Sequence, residues 1–336
     1  MERGHSPGRH GVRDPGHLRR RVPVRRGESL PSGNRVAFVE PNFGAMKNAP
    51  SSSTERTDLE ALVRLLSDQD PRIARQIHQH LVDAGSEALP FLRTTIANCD
   101  EPSLATRIRI VIGDIAQADV ERHWDALLAT SQEDLDLEAG AFLIARTGDP
   151  HIETSPYQQR LDAMAAELRT LSSGTPRQVV RHMNEYLFHT LRFRGNTQQY
   201  YDPNNSFLHR VLDDRVGIPI SLSVVYLLLG QRLRVPVAGV GLPGHFLVGL
   251  RTEPVFIDCF HEGAMLAEKD CARLLENHGV EFDRRYLEPC SHAQILARML
   301  RNLIAVYETR QETTEGRRFR RLLTALENRE NLPHVH

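Results

Sequence analysis

From Thr57 onward, apolar residues recur at spacings of three and four. Leu59, Leu62, Val63 and Leu66 form one such stripe, and Thr57 or Asp58 can accept from the free N–H groups at its start. Asp70-Pro71 opens a second helix, with Ile73, Ile77 and Leu81 four apart. Gly85 turns the chain, and Ala88, Phe91, Leu92 and Ile96 begin a third. Further helices are predicted at about 104–116, 120–130, 135–145, 157–171 and 175–190. From 193 to 206 the pattern changes: Arg194, Asn196, Tyr201, Asn204 and Asn205 sit in a run of turn formers and aromatics. Such a loop either lines a site or is a well-packed turn held by its Asn side chains.

A short helix follows over 206–214, and Gly217-Ile218-Pro219 ends it. Leu222, Val225, Tyr226, Leu229 and Leu233 then mark a helix that is apolar nearly all round and so buried. After Pro236 the period becomes two: strands are predicted at Val237–Leu242, His245–Leu250 and Val255–Phe260. From His292, Ile295, Met299, Leu303 and Tyr307 recur every four residues, and Leu322, Leu323 and Leu326 suggest one more helix before a polar tail. The fold class is α+β: an all-helical half of HEAT-like hairpins, then a small antiparallel sheet and C-terminal helices. The expected divisions are 1–57, 58–190, 191–290 and 291–336.

Composition changes little. Of 336 residues, 40% are hydrophobic and 25% charged, with a net charge of -1, so nothing general favours nucleic acid or an acidic surface. No apolar run approaches the roughly 20 residues of a membrane span. Residues 1–57 are rich in Gly, Pro, Ser and Arg, with a basic cluster at 19–26. They read as a disordered arm or as an over-extended start ahead of Met46, in preference to an RNA-binding arm. Cys99, Cys259, Cys271 and Cys290 match no zinc or redox spacing, and so read as reduced thiols of a cytoplasmic protein.

Several segments together resemble the SirB family of transglutaminase-like proteins. They are Gly217-Ile218-Pro219-Ile220-Ser221-Leu222-Ser223, Leu242-Pro243-Gly244-His245-Phe246-Leu247-Val248 and Phe256-Ile257-Asp258. Phe193-Arg194-Gly195-Asn196, Asn204-Asn205-Ser206 and the acidic helix around 136–146 also fit, in the right order. The resemblance implies a papain-like core in which a cysteine at the start of the buried helix, a histidine on a strand and an aspartate on the next strand form a triad. His245 and Asp258 match the second and third roles, but Pro219 stands at the cysteine position. A helix N-terminus favours a thiolate, and proline offers none.

Ser221, in the first turn, is the candidate substitute nucleophile; the alternative is a serine that satisfies free backbone N–H groups. Ser223, two residues further in, is expected to pack as a small residue, and Gly244 to aim His245 at a cleft. The bland reading of His245 and Asp258 is a buried hydrogen bond. Cys259 should point away from the Asp258 face, as a small buried hydrophobe. His261 and Glu262 lie close by, but linear spacing gives no metal site, and no cofactor is expected. The expectation is therefore a protein- or peptide-binding regulatory module without the usual cysteine. Its rivals are an amide hydrolase or acyl-transferase using Ser221, His245 and Asp258, and a helical scaffold with a vestigial cleft.

Overall fold

The computed structural model describes residues 53–66, 70–130, 135–171, 174–277 and 279–330. The basic cluster at 19–26 and Met46 lie outside them. Helices α1 (Ser53–Leu65), α2 (Pro71–Ala84) and α3 (Leu89–Ala97) follow the predicted stripes. Helix α2 starts where the sequence says it should, because the Asp70 carboxylate accepts from the Arg72 N–H and Pro71 needs no partner in the first turn.

The two helices expected over 104–130 are one: α4 runs unbroken from Pro102 to Leu128. The polar stretch Gln117-Ala118-Asp119 suggested a break but contains no glycine or proline to make one. The helix instead changes partners midway. Ile108, Val111, Ile112 and Ile115 join Val63, Leu66, Leu81 and Leu92 in a small cluster. Val120, Trp124 and Leu127 join the main core. There Trp124 is buried and its indole N–H donates to the Leu322 carbonyl at 3.1 Å.

Helices α5 (Leu137–Gly148) and α6 (Ser155–Leu171) follow, then α7 (Pro176–Asn184), which widens into a π-helical turn over Glu185–Thr190. Thr175 and Gln178 cap α7 reciprocally. Two-residue strands β1 (Arg194–Gly195) and β2 (Val216–Gly217) pair in parallel around α8 (Leu208–Asp214). Helix α9 (Pro219–Leu233) comes next, and every residue from Pro219 to Gly230 is buried.

The sheet has four antiparallel strands in the order β3 (Val237–Leu242), β4 (His245–Leu250), β5 (Val255–Asp258) and β6 (Ala264–Leu266). Sequence alternation anticipated three strands and carried the third to Phe260. It ends at Asp258 because Glu262 and Gly263 take positive φ values of 55° and 75° and reverse the chain. Strand β6 is too short to show a period of two. Helix α10 (Glu268–Asn277), absent from the sequence reading, fully buries only Cys271 and Leu275.

One sheet face sets Phe246, Val248, Leu250 and Ile257 in the main core with α9. The other sets Val240, Leu242, Leu247 and Phe256 against Cys271 and Leu275 of α10. Helices α11 (His292–Thr309) and α12 (Thr313–Glu330) complete the core through residues such as Leu300, Leu303, Phe319 and Leu326. The main cluster draws on residues from Val120 to Leu326, so the sequence division at 190 and 191 runs through it. Burying each large side chain of α9 contributes roughly 1.5–3 kcal/mol, so the start of this helix sits on a rigid base.

Candidate functional site

Leu242 pairs with His245 across a two-residue turn of Pro243 and Gly244. Gly244 adopts a φ of 73°, which glycine reaches without strain and which this kind of turn needs. The register Val248 to Ile257 and Leu250 to Val255 runs β4 and β5 in opposite directions. Extended by one pair, it puts Asp258 beside Leu247, on the face that carries His245. There His245 Nε2 lies 2.9 Å from Asp258 Oδ2. The exposed His261 places Nδ1 2.8 Å from the same oxygen. Asp258 Oδ1 accepts from the Phe260 and His261 N–H groups at 3.1 and 3.2 Å.

Asp258 is thus buried with four hydrogen bonds to its carboxylate. Burial pushes its carboxyl pKa up, but the bonds and charge of His245 and then His261 outweigh that and hold it below the usual carboxylate value. The loop that carries His261 is anchored independently. The Tyr226 hydroxyl donates to Asn184 Oδ1 at 2.8 Å, and Asn184 Nδ2 donates to the Gly263 carbonyl at 2.6 Å.

Nε2, Oδ2 and Nδ1 of His245, Asp258 and His261 all lie within 4.8 Å of one another. The fold therefore brings together ligating atoms that linear spacing kept apart. A cation there would have to displace both ring contacts to Oδ2, and the hydrogen bonds alone account for the arrangement.

A cavity of about 300 Å³ opens at this point, lined by Tyr200, Pro219, Ile220, Gly244, His245, Phe246, Arg298 and Asn302. It joins Pro219, at the start of α9, to His245. Of the other residues singled out in the sequence, Ser221 and Ser223 are buried beneath it. The Ser221 hydroxyl donates to the Asn205 carbonyl at 2.5 Å and accepts from the Ile218 N–H at 3.0 Å. His245 is not among its hydrogen-bond partners. Ser223 donates to the Pro219 carbonyl at 2.7 Å. Gly217 is glycine because a Cβ there would meet Ser221 Oγ at 2.7 Å.

The loop residues also build the wall more than they line it. Asn196 Nδ2 donates to Asn205 Oδ1 at 2.9 Å, and Asn205 Nδ2 donates to the Gln199 carbonyl at 2.6 Å. The Asn204 N–H donates to Asp202, and Arg194 pairs with Val216 in the β1–β2 ladder. Tyr201 points to solvent, while its neighbour Tyr200 faces the cavity and packs edge-on against Phe260. Cys259 is fully buried on the α9 side of the sheet, and burial pushes its thiol pKa far up, so it is no nucleophile.

Tyr200, Ile220 and Phe246 line the cavity from within the segments singled out in the sequence, whereas Arg298 and Asn302 line it from outside them. One faint signal exists: Arg298 and Asn302 are four apart, on one flank of the α11 stripe. Arg298 Nη2 donates to the Leu242 and His245 carbonyls, both at 2.8 Å, and so clamps the two ends of the turn that presents His245.

Among the described residues, no helix is long and apolar enough to cross a membrane. Residues 155–301 match the model of the transglutaminase-like superfamily. A UPF0162 protein of Xylella fastidiosa is 35% identical over 196 residues, which cover 55% of this chain and 69% of that one. A UPF0162 protein of Vibrio cholerae is 29% identical over 114 residues, 32% of this chain and 42% of its own length. Human F-box only protein 21 is 38% identical over 111 residues, 30% of this chain but 18% of that protein. No solved structure matches. With a strand-borne histidine bonded to an aspartate of the next strand, beside the start of a buried helix, the chain belongs to the UPF0162 family and carries a transglutaminase-like domain.

Proposed function

We propose that the chain is a transglutaminase-like protein of the SirB type that binds a peptide or protein segment in the His245 cleft without breaking or forming a covalent bond. Its role is regulatory binding, in keeping with four free thiols and a cytoplasmic setting. One observation supports this above the others: the only serine hydroxyl in the first turn of α9 is committed to the backbone, donating to Asn205 and accepting from Ile218. A nucleophile has to present its O–H to a base, and Ser221 presents it to a carbonyl. Two positions earlier, at the start of the helix, stands Pro219, which has no reactive group. Similarity to a much longer protein named F-box only protein 21 fits a core that serves as a module within larger assemblies.

The rival is an amide hydrolase or acyl-transferase, and the His245–Asp258 contact at 2.9 Å favours it. A fluorophosphonate probe separates the two. Equal labelling of the native chain, Ser221→Ala and His245→Ala is the expected result; labelling lost in both variants makes the chain an enzyme. Panning a peptide display library against the native chain tests binding directly. Affinity for selected peptides is expected to fall at least about tenfold, or 1.4 kcal/mol, in Tyr200→Ala and His245→Ala. Binders indifferent to both substitutions move the function to the helical half, which then acts as a scaffold.

A further inference from the structure

The cleft beside His245 continues into a larger groove of about 990 Å³ between the β3–β4 turn and helices α11 and α12. The two share Gly244, Phe246, Arg298 and Asn302 as a common wall. Three arginines border the larger groove. Arg301 is paired with Glu327 at 2.7 Å and Arg320 with Glu308, so both are neutralised. Arg298 is not: among the described residues, no carboxylate pairs with it. Its Nη2 is spent on the two turn carbonyls, while Nε and Nη1 have no hydrogen-bond partner among the described residues. The guanidinium lies over the Phe246 ring, 5.5 Å from its centroid, in a half-buried position. Burial disfavours its charged form and moves its pKa below the usual value. A half-buried cation without a counter-ion bears part of the desolvation cost, and an anionic ligand would offset it.

The rest of the small cavity agrees. Its lining contains no Asp or Glu. The Asn302 amide and the Tyr200 hydroxyl, which have no hydrogen-bond partner among the described residues, add donors within the same wall. Pro219, Ile220 and Phe246 supply the apolar remainder. Such a surface, rich in donors and poor in acceptors, suits a planar monoanion held by one free N–H edge of Arg298 together with the Asn302 amide and the Tyr200 hydroxyl. A phosphate dianion would ask for a second free cation, and the neighbouring arginines already have acidic partners. The length of the joined cleft and its apolar side, with Pro243, Ile304 and Leu323, suits a chain rather than a compact metabolite.

We infer that the cleft recognises a peptide carboxylate, a chain terminus or an acidic side chain, through Arg298 with Asn302 and Tyr200, the rest of the peptide lying along α11 and α12. This rests on the peptide-binding reading above and names the chemistry of the ligand.

The test varies the ligand, so the native protein suffices. Three tripeptides are titrated calorimetrically: acetyl-Ala-Ala-Ala with a free C-terminus, acetyl-Ala-Glu-Ala-amide and acetyl-Ala-Gln-Ala-amide. At least one carboxylate peptide is expected to bind at least about tenfold tighter than the neutral peptide, with affinity falling as salt rises. The arm that wins tells terminus from side chain. Addition of the winner should shift the 15Nε resonance of Arg298, assigned by its disappearance in Arg298→Lys, and Asn302→Ala should weaken binding while leaving the turn clamp intact. Equal affinity for all three peptides, or no binding by any, overturns the carboxylate assignment. If display-selected peptides still bind and still need His245, the peptide-binding reading survives that failure.

Discussion

Removing the Ser221 hydroxyl separates structure from chemistry most directly. Ser221→Ala deletes one donor and one acceptor at a site that is 1% exposed. The Asn205 carbonyl and the Ile218 N–H lose their partner at 2.5 and 3.0 Å, and both residues are themselves buried, at 4% exposure each. An orphaned buried polar group costs about 1–3 kcal/mol, and the alanine leaves too little room for a replacing water, so the variant should lose about 2–4 kcal/mol. Ser223→Ala is the control. Its hydroxyl adds a bond to the Pro219 carbonyl within the helix and otherwise meets the Cys259 thiol, a weak partner, so its loss should cost about 1 kcal/mol or less. The assay is urea unfolding at neutral pH, with the midpoint read at unchanged slope. A Ser221→Ala loss below about 0.5 kcal/mol would refute the reasoning, because that hydroxyl would then be free of the backbone and available to His245.

Three further outcomes are expected. Because the folded pKa of the Asp258 carboxyl is depressed, its stabilisation is present above the ordinary carboxylate pKa and is lost as pH falls through the lower folded value; urea midpoints from pH 6 down to 2.5 should therefore drop more steeply for the native chain than for Asp258→Asn. Gly263→Ala should cost at least about 2 kcal/mol in the same unfolding assay, since a Cβ at φ 75° would meet the Phe188 ring at 2.6 Å and Asn184 at 2.8 Å; a near-neutral result would mean that the loop behind Asp258 yields. Pro219→Cys restores a thiol at a helix N-terminus in the cavity that His245 lines, so it should alkylate with iodoacetamide near pH 6.5, and more slowly with His245→Ala added; equal rates in the two proteins would place the thiol out of reach of the histidine.

Local pattern was enough for much of this. The continuous apolar run after Pro219 required a buried helix, and the alternation in 237–250 required two strands with a Pro-Gly turn between them. The same alternation placed Cys259 on the face opposite Asp258, and the fold keeps it there. These features are legible because burial has a period and turns have preferred residues. The single helix from Pro102 to Leu128 was not legible, because its two ends serve different clusters and the sequence reports burial without naming the neighbour.

The site divides along the same line. His245 and Asp258 could be named from a motif, but only strand register made them partners at 2.9 Å and added His261 to the same carboxylate oxygen. Ser221 could be placed in the first turn of α9; that its hydroxyl is taken up by Asn205, sixteen residues earlier, was decided by the folded loop. Arg298, more than fifty residues after His245, carried no signal beyond its place on the flank of the α11 stripe, yet it holds both ends of the turn that presents that histidine. Periodicity reflects how each segment meets water and core. Which donor meets which acceptor, and which charge is left without one, depends on contacts between segments far apart in the chain, and those exist only once the segments have packed.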